Sequence, residues 1–454
     1  MWFNTCFDRK AVNTDLDDDD MKKLIWMIAW MATLGLILMA CSSLPVLQNM
    51  IPGSARTQAA NTPLPPTPEP TATPVEETNQ ITSLRIWVPP QFLPEESSTG
   101  GNLLLSRMEE FKTRRPQLEV NIRSKALEGE SGMLENLRAA QSAAPLIMPD
   151  IIALPREMME QAYDEGLVIP LDDLTEIMEE DSWFEYALTL ARYRENTIGI
   201  PMAGDALVLA YKNDTGDIPP SDWESLLASQ KPLAFPASAE DSLVTLAYYE
   251  SLLDEKRSGQ AGVQLEADIL EEVLTFYRDA QTANVMPYWL TQFETDIQAW
   301  ESYQERQSTL ALTWSSQYFE SDSPNTGLAP IPTRDGKAFS YATGWVWCVV
   351  ASEPDTELAA VELIEFLVED NYLAAWTAES SYLPVRTTGF ENWPEDDFPL
   401  VFQQILPSAI LSPHYQTISE LGPFVRDAVV AVLKDQSDPG QVTAELMERM
   451  NGQE

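Results

Sequence analysis

Residues 149–174 have the sequence PDIIALPREMMEQAYDEGLVIPLDDL, and their pattern decides the fold class. The apolar run PDIIALP predicts a buried strand, and REMMEQAYDEGL predicts a helix that ends at Gly166. Upstream, ITSLRIWVPP and LEVNIRS predict strands, while LLLSRMEEFKTRRP and GMLENLRAAQSAA predict helices. Because strands and helices alternate along the chain, the sequence predicts an α/β domain with a mostly parallel sheet.

Together with residues 198–214, IGIPMAGDALVLAYKND, this stretch resembles the bacterial extracellular solute-binding proteins of ABC transporters, in the maltose-binding group of family 1. Further segments that resemble this family follow in order: PPSDWESLLAS, AWESYQERQSTLALTWSSQY, GLAPIPTRDG, GWVWCVVASEPDTELAAVELIEFLVED and SYLPVR. The resemblance covers roughly residues 81–450. It depends on the order and spacing of these segments, because no single motif is diagnostic.

The resemblance implies an α/β, two-lobed fold of the periplasmic-binding-protein type II kind, with hinge crossings between discontinuous lobes. The implied pieces are residues 80–203 and 329–381 for lobe 1, residues 204–328 and the C-terminal helices 382–454 for lobe 2, and crossings near 201–206, 327–333 and 382–388. Such a protein binds a solute in the cleft and closes on it by hinge rotation. The resemblance also implies that an ABC permease receives the solute from the closed form, and we expect a monomer.

The N-terminal region predicts export and lipid anchoring. An apolar run over residues 24–40 follows Lys22–Lys23 and falls slightly short of the about 20 residues that a transmembrane helix needs. The run ends in LMAC, which resembles the bacterial lipobox with Cys41 as the lipidated residue, although Met39 is larger than the residue usual at that position. An uncleaved signal anchor is the alternative. Both interpretations place the body of the chain on the extracytoplasmic face of the cell membrane.

The flanks of this apolar run complete the interpretation. Residues 1–20 end in DLDDDD, which would disturb a basic signal start, so we expect Met21 to be the true first residue and residues 21–40 to be the signal peptide. Residues 41–79 contain NTPLPPTPEPTATPVEETNQ, whose Pro and Thr content predicts an extended tether after the lipid anchor. Anchor and tether would keep a capture protein beside its transporter.

The charge and composition exclude several function classes. A net charge of −43 disfavours binding to nucleic acid or to anionic lipid, and we expect a solvated acidic surface. With His414 as the single histidine, no metal centre or other cofactor is expected. Neither a Walker-type phosphate loop nor a GxSxG motif occurs, so an enzyme is not expected. Cys348, in the apolar run GWVWCVV, is expected to be a buried and inert thiol.

Sugars present flat ring faces and many hydroxyls, which aromatic rings and fixed polar groups bind. Asp205 lies in PMAGDALVLAY, where members of the resembled family often have an acidic sugar ligand, and we expect this crossing to be exposed at the surface. The alternative is a hinge carboxylate without a ligand. Further candidates follow strands or lie in resembling segments: Gln91, Phe92, Arg156, Glu157, Trp314, Ser315, Tyr318, Trp345 and Arg386.

Several of these candidates have structural alternatives. Arg156 and Glu157 could simply begin a helix, where Glu157 would suit the helix dipole. Trp345 and Trp347 should face the same side of a strand, and core packing is the common fate of such residues. Arg386 points into the cleft or else only pins a crossing segment. Trp289 is a weaker stacking candidate, and Trp223 is expected to be a structural residue at a helix start.

We expect the solute to be a carbohydrate, and three alternatives remain open at this point. A polyamine or peptide binder on the same fold would use acidic cleft residues to hold a cation. A surface glycosidase needs only two carboxylates, which this acidic chain supplies in excess. A structural lipoprotein without a ligand is the third alternative, which the hinge pattern disfavours.

Overall fold

The computed structural model describes residues 81–452, except 94–98, 130, 145–146, 215, 217, 254–263, 322, 351 and 393–397. The predicted start at Met21, the signal peptide, the Cys41 lipidation site and the tether therefore lie outside the described residues. Within the described part, no helix has both the length and the apolar composition that a bilayer crossing requires.

The strands carry the central sheet. Within the described ranges they are β1 (Ser83–Val88), β2 (Glu119–Ser124), β3 (Ile151–Pro155), β4 (Arg192–Tyr193), β5 (Asn196–Thr197), β6 (Ile200–Lys212), β7 (Leu233–Ala234), β8 (Leu310–Trp314), β9 (Thr326–Ala329), β10 (Ser340–Val349) and β11 (Ala409–Leu411). The main sheet has the order β2-β1-β3-β10-β6-β8-β7, with β9 paired to β6 and β11 paired to β10. Strands β4 and β5 form a separate pair.

The helices cover this sheet. They are α1 (Thr99–Arg114), α2 (Met133–Ala143), α3 (Arg156–Asp164), α4 (Glu185–Leu190), α5 (Trp223–Ser229), α6 (Leu243–Glu250), α7 (Ala267–Thr282), α8 (Asp296–Gln304), α9 (Ser315–Glu320), α10 (Pro354–Leu367), α11 (Asp370–Glu379), α12 (Phe398–Ile405), α13 (Tyr415–Leu433) and α14 (Pro439–Asn451). The strands and helices predicted between residues 81 and 166 are all confirmed at these positions.

Side-chain caps fix the starts of several helices. The carboxylate of Asp222 accepts a hydrogen bond from the backbone N–H of Ser225 at 2.8 Å and begins α5. In the same way Thr295 begins α8 and Asp438 begins α14. Each cap satisfies a backbone donor that the first helical turn would otherwise leave without a partner.

The prediction of a mostly parallel sheet holds for the outer pairs and for β11 beside β10. Strand β1 runs parallel to β2 and β3, and β7 runs parallel to β8. In the centre, β10 runs antiparallel to β3 and β6, and β6 runs antiparallel to β8 and β9. The centre is antiparallel because β6 runs from the first group of strands to the second, and β10, later in the chain, runs in the opposite direction.

Strand β6 joins two groups of elements. Its first half pairs with β10, from Ile200 to Ala206, and its second half pairs with β8 and β9, from Leu207 to Lys212. We call the elements around β1, β2, β3 and β10 the first lobe and those around β7, β8 and β9 the second lobe. Helices α13 and α14 pack on α7 of the second lobe, although the predicted lobe boundaries themselves stay predictions.

Close backbone packing at the crossing requires glycine. Gly204 of β6 lies opposite Gly344 of β10 and also bridges to Leu383, which brings the predicted crossings near 201–206 and 382–388 together. A Cβ atom on Gly204 would lie 2.0 Å from the Tyr186 hydroxyl, which donates a hydrogen bond to the carbonyl of Pro384 at 2.8 Å. The two crossings and α4 therefore form one tightly packed joint.

Each lobe has an aromatic or aliphatic interior. In the second lobe, Trp223 stacks on Phe276 with 4.1 Å between ring centroids, which confirms its predicted structural role. In the first lobe, Cys348 is buried in β10 as predicted, and burial raises the pKa of its thiol well above the ordinary value. A thiol in this state is a poor nucleophile.

Candidate ligand-binding cleft

The carboxyl ends of β7 and β8 meet at one edge of the second lobe and open into a small cavity. Open α/β sheets bind ligands at such strand ends. The cavity is lined by Leu207, Pro236, Ala237, Asp241, Ser242, Leu243, Val244, Thr245, Asp296 and Trp314. Its lining therefore combines an indole ring, two carboxylates and the first turn of α6.

Trp314 and Asp296 form the polar and aromatic wall of this cavity. Trp314 is the last residue of β8, lies opposite Leu207 in β6 and remains partly exposed. Burial, together with the negative charges of Asp241 and Asp205, raises the pKa of Asp296 to about 7, while hydrogen bonding from Trp314 opposes this shift. Asp296 is thus held in contact with the indole and close to other carboxylates.

Asp205 is buried, so the expectation that its crossing is exposed is wrong. One carboxylate oxygen accepts hydrogen bonds from the Ser315 hydroxyl at 2.6 Å and from the backbone N–H groups of Ala206 and Ser316 at 2.9 and 3.0 Å. The other accepts from the Ser316 hydroxyl. Burial raises the pKa of Asp205, and these hydrogen bonds oppose that shift. These hydrogen bonds tie α9 to β6, so removal of the Asp205 carboxylate is expected to affect folding. Contact between Asp205 and a ligand stays a prediction.

Glu157 of the first lobe interacts with this cavity through its charge. The side chain of Glu157, at the start of α3, keeps contact with solvent, and partial loss of hydration together with the Asp241 carboxylate raises its pKa. Glu157 belongs to the first lobe and Asp241 to the second, so their charges interact between the lobes. Burial and the charge of Asp205 raise the pKa of the Tyr382 hydroxyl, and polar interactions with Gln91 and Trp345 oppose this shift.

Phe92 is buried in an aromatic cluster rather than presented at a surface. Its ring centroid lies 4.9 Å from Trp345, 5.3 Å from Trp376 and 5.6 Å from Tyr382. Trp345 is 8 % exposed and Trp347 only 1 %, so core packing dominates for both. Ligand contact by Phe92 or Trp345 would need these rings to become accessible.

Arg156 is part of a buried polar network in α3. Its guanidinium lies 2.9 Å from the Glu160 carboxylate and donates to the carbonyl of Ser412. His414 lies 2.7 Å from the same carboxylate. The structure therefore places Arg156 among protein partners, while its neighbour Glu157 is exposed.

Arg386 pins a crossing segment, which was one of its two predicted roles. Its guanidinium lies 2.6 Å from Glu180 and 2.9 Å from Asp370, donates to the hydroxyl of Ser182, and stacks 3.9 Å from the centre of the Trp183 ring. These contacts hold the segment near residues 382–388 against the first lobe.

The remaining candidates lie in or near the second lobe. Ser315 is fully buried and bonds to Asp205, so it acts on the position of α9. Tyr318 is partly exposed and packs edge-on against Phe319 and Trp300. Trp289, the weaker stacking candidate, is partly buried beside Phe293. Of the predicted aromatic residues, only Trp314 lines the cavity.

Sequence reasoning missed Asp241, Asp296 and Tyr382. The two aspartates stand at the starts of α6 and α8, where Asp is common as a helix-capping residue, so their sequence context indicates only a helix start. Within the described residues, no group of three or more His, Cys, Asp or Glu side chains could hold a metal ion.

Two α/β lobes joined by a shared strand, with strand ends facing one cleft, define a two-lobed binding protein. A model of the family described as bacterial extracellular solute-binding protein matches residues 106–397, more than half of the 454 residues. The chain therefore belongs to the bacterial extracellular solute-binding proteins, as the sequence resemblance implies. No curated protein matches the sequence.

Solved structures of sugar-binding proteins have the same fold. The sugar-binding protein MalE from Xanthomonas citri is 17% identical with a TM-score of 0.65, covering 82% of this chain and 97% of that one. The cyclic alpha-maltosyl-1,6-maltose binding protein from Arthrobacter globiformis is 15% identical with a TM-score of 0.64, covering 82% and 98%. Maltose-bound MalE3 of T. maritima is 18% identical with a TM-score of 0.59, covering 82% and 100%. At these identities the likeness confirms the two-lobed fold.

Proposed function

We propose that the protein captures a carbohydrate between its lobes and delivers it to the transmembrane subunits of an ABC importer. The observation that carries this proposal is the partly exposed indole of Trp314 beside two carboxylates in a cavity at the strand ends. An indole face suits a sugar ring, and carboxylates accept hydrogen bonds from its hydroxyls. Family membership and the names of the similar solved structures support the same conclusion.

A ligand-binding screen tests this proposal. The purified full chain is screened by melting temperature and calorimetry against neutral and amino sugars, polyamines and peptides. A ligand at 100 times its dissociation constant should add about 2.7 kcal/mol to the free energy of unfolding. The same samples are analysed for products, and hydrolysis that disappears in Asp296→Asn would make the protein a glycosidase.

Replacing Trp314 by alanine is expected to weaken binding of the best sugar from this screen roughly 10- to 100-fold. Burial of one large side chain against a ligand contributes about 1.5–3 kcal/mol. Because Trp314 is partly exposed, the melting temperature should change little. Trp347→Ala is the matched control. Because Trp347 is buried in β10, its replacement should lower the melting temperature instead. Unchanged affinity in Trp314→Ala would place the ligand elsewhere.

We also propose that Cys41 carries the lipid that keeps the protein at the membrane. Its sequence context, LMAC after a short apolar run, supports this role. Stable anchoring needs more than one acyl chain, which a bacterial lipoprotein has. Cys41→Ser should therefore move the protein out of the membrane fraction or leave it unprocessed. Normal processing and lipid labelling of this variant would refute the lipobox interpretation, and Cys348→Ser serves as the control for loss of a cysteine.

A further inference from the structure

Two carboxylates line the cavity of the second lobe, and the charge of a third, Glu157 of the first lobe, interacts with one of them. Asp241 and Asp296 line the cavity beside Trp314 in the second lobe. Glu157, at the start of α3, belongs to the first lobe, and burial together with the charge of Asp241 raises the pKa of its carboxyl. The negative charge is therefore concentrated at the site that an enclosed solute would occupy.

No basic side chain of the described residues forms an ion pair with Asp241 or Asp296. The nearest guanidinium to Glu157 along the chain, Arg156, already pairs with Glu160 at 2.9 Å. Asp241 accepts a backbone hydrogen bond from Leu243 at 3.2 Å, and Asp296 interacts with Trp314. Both carboxylates thus have polar neighbours but no opposite charge.

This arrangement differs from the acidic surface that the composition predicts. Carboxylates on an open surface are stabilised by water, whereas those in a cavity lose hydration and repel one another. Burial raises the pKa values of Asp241 and Asp296, which reports the cost of keeping both charged. A cation placed between the lobes would remove that cost, and a metal grouping is absent from the described residues.

We propose that the bound carbohydrate is an amino sugar, whose protonated amine lies between Asp241 and Asp296 while its ring stacks on Trp314. This inference rests on the proposed carbohydrate function and specifies the chemical class of the ligand. The indole favours a sugar ring over a flexible polyamine, because a flat aliphatic ring face matches a flat aromatic face. The charge of the amine would also reduce the repulsion between Asp241 and Glu157 of the first lobe, which favours the closed form.

The experiment compares ligands that differ by one group. Calorimetry on the purified full chain uses glucosamine with glucose, galactosamine with galactose, and the β-1,4-linked dimers of glucosamine and glucose, with spermidine as a cation without a ring. A hydrogen bond to a charged group changes affinity roughly 10- to 100-fold. At least one amino sugar should therefore bind at least about 10-fold more tightly than its neutral counterpart.

Variants in which a carboxamide replaces a carboxylate test whether the assigned residues bind the amine. In Asp241→Asn with Asp296→Asn, the preference for the amino sugar should fall to a few-fold or less. Glu157→Gln is a second variant at low risk to the fold, because Glu157 retains contact with solvent. Glu301→Gln is the matched control, since Glu301 is exposed in the same helix that Asp296 begins. Melting temperatures confirm that each variant is folded.

The outcomes separate this inference from the proposed function. A neutral sugar that binds as tightly as its amino counterpart overturns the inference and leaves the carbohydrate function in place. Binding of spermidine without any sugar overturns both and identifies a polyamine binder. Failure of the whole panel to bind at millimolar concentration overturns the amino-sugar inference, while the wider sugar screen decides the carbohydrate function. An amino-sugar preference that survives in all the carboxamide variants refutes the assigned residues.

Discussion

Replacing Glu160 by leucine is expected to lower the free energy of unfolding by about 3–5 kcal/mol. Glu160 is fully buried, and the change leaves the guanidinium of Arg156, itself 4 % exposed, without its carboxylate partner. Breaking one side of a buried ion pair costs this much because a charge remains in a medium of low polarity. It also removes the acceptor for the backbone N–H of Tyr415 at 3.0 Å, which ties α13 to α3. Urea unfolding at pH 7 measures the change.

The double variant Arg156→Met with Glu160→Leu is the control for this explanation. Well-packed apolar residues often replace a buried ion pair with little loss of stability. The double variant should therefore lose less stability than Glu160→Leu alone. If Arg156→Met keeps full stability but loses the ligand, Arg156 belongs to the binding site, as its position after β3 predicts.

The local pattern of the sequence predicts the first lobe well. PDIIALP and the residues after it have the apolar run and the helical spacing that appear as β3 and α3. The relative direction of the strands is not predictable in this way, because the sequence pattern of a strand is the same in a parallel and in an antiparallel pair. The antiparallel centre of the sheet follows from the route of β6 and β10, which no local window contains.

The site is less predictable because its residues are fixed by distant partners. Asp205 is held by Ser315 and Ser316, more than 100 positions later in the chain. Arg386 is held by Glu180, about 200 positions earlier. A sequence pattern places each of these residues near a crossing, but it does not show whether the side chain is already satisfied by the protein.

The position of a residue after a strand is likewise insufficient to predict whether its side chain lies in the core or at the ligand site. Phe92 and Glu157 both follow strands of the first lobe, yet Phe92 turns inward to an aromatic cluster while Glu157 interacts with Asp241. Hydrophobicity explains this difference, since burying the ring removes apolar area from water. Trp314 stays partly exposed because it is the last residue of β8 and lines the cavity there.

In the ligand-free protein, Asp296 is expected to lower the free energy of unfolding by about 2–4 kcal/mol as the pH rises from about 4 to 7. Its pKa is raised to about 7 in the folded state and lies near 3.9 in the unfolded chain. Between these values the folded protein binds more protons, so its free energy of unfolding falls by up to about 1.4 kcal/mol for each pH unit. Partial contact of Asp296 with solvent reduces the full value, which gives the range above.

The measurement is urea unfolding of the parent and of Asp296→Asn at pH 5 and pH 8. Other carboxylates also titrate in this interval, so the difference between the two proteins isolates Asp296. At pH 8 the variant should be the more stable, because the parent keeps an uncompensated charge beside Asp241 and Asp205. At pH 5 the parent carboxyl is largely protonated, so the two proteins should differ little. A difference that is equal at both pH values would show that Asp296 titrates normally, and Glu301→Gln should show no pH-dependent gain.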